Sequence, residues 1–125
     1  MDIFIITPHR FDPLFEKKRQ IVESATKHFR INVYYGPNPP YDESDRKKTV
    51  DLYKQIDFFI ADLSYERPSC YFEVGFVQAL NKPIDLIAMY GTDIHQILDR
   101  DKVKFYKDMR EYENLIISFL HSRAC

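Results

Sequence analysis

Short apolar runs alternate with helix-length segments along this chain, and that alternation limits its possible folds more than any other feature. A strand buried on both faces reads as a continuous apolar run. A helix packed on a sheet repeats its apolar residues three and four positions apart. Ile3 to Thr7 is the first such run, and Pro8 stops it. Asp12-Pro13 then opens a helix, with Asp12 as N-cap and Pro13 in the first helical position. Leu14, Lys18, Ile21, Val22, Ala25 and Phe29 follow at helical spacing. Ile31 to Tyr35 is a second strand. Gly36-Pro37-Asn38-Pro39-Pro40 is a stiff loop, unfit for a helix or a central strand. A second helix restarts within Asp42 to Asp45 and runs to about Gln55. Asp57 to Leu63 is the third strand, marked as central by Phe58, Phe59, Ile60 and Ala61. Ser69 is expected to cap a third helix from about Cys70 to Leu80, which Asn81-Lys82 and Pro83 end. Ile84 to Met89 is the fourth strand, and Gly91 to Asp101 a loop with one helical turn. Val103 to Tyr106 is a short edge strand. Lys107 to His121 is the last helix, with Met109, Tyr112, Leu115, Ile116, Phe119 and Leu120 on its apolar side.

Strict alternation implies a parallel sheet with helices on both faces and right-handed crossovers. The expected architecture is an α/β, flavodoxin-like or Rossmann-like three-layer domain with a five-stranded, mainly parallel sheet in the order 2-1-3-4-5. The 125 residues suffice for one domain, 1–125, and are too few for two. A formal net charge of −1 supplies no basic field, so no nucleic-acid partner is expected. No apolar run reaches membrane-spanning length, and no membrane partner is expected. Met1-Asp2 enters a strand at once, without a positively charged segment or cleavage-site pattern, so no secretory signal is expected. Cys70 and Cys125 are too few for a disulfide framework or a metal site. Both read as free thiols in a reducing cytoplasm.

In such sheets ligands bind beyond the carboxyl ends of the strands, where strand order reverses. For this order the crevice lies between the first and third strands. It is bordered by Thr7-Pro8-His9-Arg10-Phe11 and by Asp62 through Ser69, with Tyr90-Gly91-Thr92-Asp93 alongside. Glu73 shares a helix face with Phe76, Val77 and Leu80, three, four and seven residues on. Its carboxylate is thus expected on the inward side, in the helix's first turn. There it suits a nucleophile or a base. The other reading is an N-terminal acid that favours the helix dipole and touches no ligand.

The segments Asp57-Phe-Phe-Ile-Ala-Asp-Leu-Ser64, Pro68-Ser-Cys-Tyr-Phe-Glu-Val-Gly75 and Ala79-Leu-Asn-Lys-Pro-Ile84 resemble the nucleoside 2-deoxyribosyltransferase family. Arg100-Asp-Lys-Val-Lys-Phe-Tyr106 is also similar to the C-terminal part of that family. The resemblance implies N-glycosidic bond cleavage or transfer on a nucleoside or nucleotide, through a covalent glycosyl intermediate on Glu73, with no cofactor and no metal. It also implies a homo-oligomer. The family's sugar-holding aspartate falls in register near Thr49, with Asp51 two residues later; either Asp51 takes that role through a local shift or the role is lost. The family's first loop is often glycine-rich. This one has none, and Thr7, His9 and Arg10 are the groups available to hold a sugar or phosphate. Leu63 to Glu73 also resembles the Toll/interleukin-1 receptor (TIR) motif, which implies an NAD hydrolase using the same Glu73. A third reading is a nucleotide-binding sensor or interaction module without turnover.

Other candidates have plainer alternatives. Asp62 orients a sugar hydroxyl or Glu73, or caps the following turn. Tyr65 and Tyr71 stack on a base or pack in the fold. Ser64 and Ser69 line the same end, Ser64 as a substrate contact or a turn residue, and neither has a His/Asp pair that would make it a nucleophile. His9, His28, His95 and His121 show no metal spacing. Lys17-Lys18-Arg19 and Arg46-Lys47-Lys48 read as solvated helix faces. Cys70 reads as buried and inert.

Overall fold

The computed structural model of the chain describes residues 1–35 and 43–124. Its elements follow in the order β1 (Asp2–Ile6), α1 (Phe15–Phe29), β2 (Asn32–Tyr35), α2 (Glu43–Gln55), β3 (Phe58–Asp62), α3 (Pro68–Ala79), β4 (Ile84–Met89), β5 (Lys104–Tyr106) and α4 (Met109–Ala124). The five strands form one sheet in the order β2-β1-β3-β4-β5. Every pairing is parallel, with Ile3 opposite both Val33 and Phe58. The expected α/β architecture and strand order are therefore those observed.

Period-two alternation splits the core into two layers. Phe4, Ile6, Phe59, Ala61, Leu86 and Ala88 pack against α2 and α3 through Tyr53, Ile56, Val74 and Val77. Ile3, Ile5, Phe58, Ile60 and Ile87 face α1 and α4 through Val22, Ile116 and Leu120. Tyr53 meets Phe4 and Phe59 edge-on, at 4.9 and 5.2 Å between ring centroids. Such pairs add about 0.5–1.5 kcal/mol beyond the area they bury.

The helix ends differ from expectation in ways that bear on the site. Asp12 is not the N-cap of α1. The helix starts at Phe15, and Asp12 instead accepts the Leu14 N–H at 2.8 Å while its other oxygen takes Lys18. Ser69 is not the cap of α3 either. Pro68 occupies the first helical position, because its fixed φ suits a helix start and its missing N–H costs nothing there. Glu73 consequently lies in the second turn, not the first. Lys18 is not solvated; it is buried, whereas Lys17 is exposed and Arg19 pairs with Glu16 and Glu23. The C-terminal stop at Asn81 is as read. Asn81 takes a left-handed φ of 57°, Asn81 N–H reaches Gln78 C=O and Lys82 N–H reaches Val77 C=O. The Gly36–Pro40 loop, the Asp42 helix start and Cys125 lie outside the described residues. Among those described, no helix is long and apolar enough to cross a membrane.

Candidate active site

Parallel pairing brings the carboxyl ends of β1, β3 and β4 to one edge of the sheet, and their loops meet there. Arg67, just before α3, stacks its guanidinium 3.6 Å from the centre of the Phe11 ring in the first loop. Ser64 Oγ accepts the Met89 N–H at the end of β4, at 2.8 Å. The loop after β4 folds back over α3: His95 donates its backbone N–H to Tyr71 Oη at 3.0 Å and sets Nε2 2.7 Å from Glu66 Oε1.

Glu73 is the sole charged residue of α3 and is 9% exposed. The other buried residues of α3 are Cys70, Val74 and Val77. The charges of Glu73 and Asp62 both act on the Cys70 thiol, which burial first and these carboxylates second push up to about 12. The two acids therefore sit near the same end of the fold, on opposite faces of the sheet.

Asp62 is 1% exposed and fully engaged. Oδ1 accepts Ser64 N–H at 3.0 Å and Ser64 Oγ–H at 2.6 Å. Oδ2 accepts the Tyr106 hydroxyl at 2.8 Å and Lys18 Nζ at 3.3 Å. Lys18 Nζ also donates to Tyr106 Oη at 2.6 Å and pairs with Asp12. Burial, and after it the Asp62 charge, drive the Tyr106 hydroxyl far above its ordinary titration range, so it stays a donor. This five-residue cluster escaped sequence reading. The one available signal was Lys18, which stands at an apolar position of the α1 repeat.

The Asp62–Ser64 contact closes a tight turn whose next residues, Tyr65 and Glu66, both have left-handed φ angles of 65° and 49°. Each costs about 1–2 kcal/mol in a residue with a Cβ. Strain at this point, between β3 and the helix that carries Glu73, is held by the Asp62 hydrogen bonds and by Glu66 N–H on Leu63 C=O.

The remaining candidates separate into three places. Thr7, His9 and Arg10 lie together in the first loop, Thr7 half-buried and Arg10 exposed. His9 is half-buried, stacked on Phe15 at 4.5 Å, and burial lowers its imidazole below the ordinary 6.5. Tyr71 lies two residues before Glu73 on α3 and so on a different side of the helix, with its hydroxyl accepting from the His95 N–H. Asp51 is exposed on α2, on the side away from Tyr53 and Ile56, which face the sheet. Among the described residues, no group of three or more His, Cys, Asp or Glu side chains is arranged to hold a metal ion.

No protein-family model and no curated protein sequence matches the chain. Solved structures do. A 2-deoxyribosyltransferase from the psychrotolerant bacterium Bacillus psychrosaccharolyticus superposes with a TM-score of 0.63 at 17% identity, covering 91% of each chain. A CMP N-glycosidase from Clostridium botulinum gives 0.62 at 20% identity, covering 93% of this chain and 98% of that one. The constitutive lysine decarboxylase of E. coli gives 0.60 at 15% identity, but this chain matches only 17% of its length. The resemblance to nucleoside 2-deoxyribosyltransferases read from residues 57 to 84 thus extends to the shape of nearly the whole chain. At these identities what is established is a shared fold: a five-stranded parallel α/β domain with its loops gathered at the carboxyl edge.

Proposed function

We propose that this protein cleaves, or transfers across, the N-glycosidic bond of a nucleoside or nucleotide, with Glu73 as nucleophile. The observation that carries the reading is the burial of this single charged side chain inside α3, at the carboxyl edge of the sheet. The two full-length structural neighbours, a 2-deoxyribosyltransferase and a CMP N-glycosidase, support it. In the step envisaged, a Glu73 oxygen bonds to the anomeric carbon as the carbon–nitrogen bond breaks. The electron pair leaves with the base, which takes up a proton. The glycosyl ester then passes to water or to a second base. Thr7, His9 and Arg10 hold the sugar or its phosphate, and a neutral imidazole on His9 suits hydrogen bonding there. Ser64 acts through the turn that it closes with Asp62, and Tyr71 through the loop after β4 that its hydroxyl holds. Asp62 orients Glu73 through the turn it closes, and Asp51, exposed on the outer side of α2, is left without a part in the step.

The reading carries a small-molecule substrate, a cytoplasmic location and a homo-oligomer. Phe72, 64% exposed on the outer side of α3, is a surface that a second copy would cover. To test the function, the protein is incubated with deoxynucleosides, deoxynucleoside monophosphates and NAD, and released base or nicotinamide is measured. Release from the first two, lowered roughly a thousandfold or more by Glu73→Gln in a variant with unchanged circular dichroism, is the expected result. Nicotinamide release alone would favour the TIR-like reading. Binding without any release would favour a sensor and defeat the catalytic proposal.

A further inference from the structure

We propose that Lys18 is a positioning residue, whose buried ammonium holds the first loop and the β3–α3 turn in one register at the carboxyl edge of the sheet. The inference rests on the reading of Glu73 and the first loop given above. Lys18 is 2% exposed, Asp12 4% and Asp62 1%. An ammonium has three donors and no acceptor. All three are spent: on Asp12, on Asp62 at 3.3 Å and on Tyr106 Oη at 2.6 Å. Asp12 belongs to the loop that presents Thr7, His9 and Arg10. Its other oxygen orders the entry to α1 through Leu14 N–H. Asp62 closes the turn that leads through strained Tyr65 and Glu66 to α3 and Glu73. A second contact between the first loop and that turn is the stacking of the exposed Phe11 on Arg67. Well-packed apolar side chains generally stabilise as well as buried ion pairs do. What a shared ammonium adds is a fixed distance between two loops that are far apart in sequence.

Charge arithmetic provides the test. Asp12, Lys18 and Asp62 together carry −1. Lys18→Met leaves −2 in a buried site, whereas Asp12→Asn with Lys18→Met restores −1 without the tether. Thermal unfolding, kcat and KM for base release, and amide hydrogen exchange are measured on the wild type and both variants. Lys18→Met is expected to unfold at a lower temperature. The double variant is expected to regain most of that loss. It should still show a KM raised at least about tenfold, a kcat changed less than about threefold, and first-loop amides exchanging at least about tenfold faster, since all three hydrogen bonds of the ammonium have gone. A double variant with wild-type KM and wild-type loop exchange would overturn the proposal. If the wild type releases no base from any substrate, the proposed function falls and exchange alone decides. Faster exchange in residues 9–15 with α4 unchanged then upholds the tether, and unchanged exchange refutes it.

Discussion

Replacing Tyr106 with Phe deletes one oxygen and leaves the ring packed against Tyr112, so the change reads the buried polar cluster with little effect on apolar packing. The hydroxyl accepts from Lys18 at 2.6 Å and donates to Asp62 at 2.8 Å. Hydrogen bonds to charged groups contribute about 1.5–3 kcal/mol each. Lys18 and Asp62 retain each other and their contacts with Asp12 and Ser64, so the two losses do not add in full. The expected cost is about 2–4 kcal/mol, or roughly 10 °C in Tm for a domain of this size. Urea unfolding at pH 7 gives the number directly. Tyr112→Phe is the control. Its ring is about as buried, yet among the described residues no hydrogen bond to its hydroxyl is seen, and a change within about 0.5 kcal/mol is expected. Equal effects from the two variants would refute the reasoning, because the cluster would then be no more than filler.

Three further outcomes follow from individual sites. Arg30 ends α1 in a left-handed conformation, φ 57°, with its N–H on Lys27 C=O and that of Ile31 on Thr26 C=O. Arg30→Gly relieves about 1–2 kcal/mol of backbone cost against an entropic penalty of about 0.5–1, so the variant should gain roughly 0.5–1 kcal/mol in urea unfolding. Burial lowers the His9 pKa, so the neutral ring is the one the fold prefers. Its contribution is complete above the unfolded value and is lost as pH falls through the lowered one; His9→Phe should flatten the stability profile below about pH 6.5, and an unchanged acid slope would contradict this. Cys70, with its thiol pushed up to about 12, is almost wholly protonated at pH 8. Iodoacetamide should leave the Cys70 peptide unmodified in the native protein and alkylate it in urea, as mass spectrometry would read.

What was legible in the sequence is what depends on local periodicity. The apolar runs and their spacing lead to the four α-helices and five strands seen among the described residues, because a strand buried on both faces tolerates no polar residue in its middle; the pairing order followed from the usual arrangement of an alternating α/β chain. Glu73 was legible for the same reason: it breaks an apolar helix on the side that faces inward. Asp62 was legible as a turn former, and its bond to Ser64 N–H is local. Lys18 was not. Within Lys17-Lys18-Arg19 it looks like solvent-facing charge, and burying one lysine is unfavourable unless its partners are already in place. Those partners stand 6, 44 and 88 residues away, at Asp12, Asp62 and Tyr106, and no window of sequence contains them all. The ammonium has three acceptors, and so can stay inside, only where β3 and β5 lie in the same sheet with α1 packed against it.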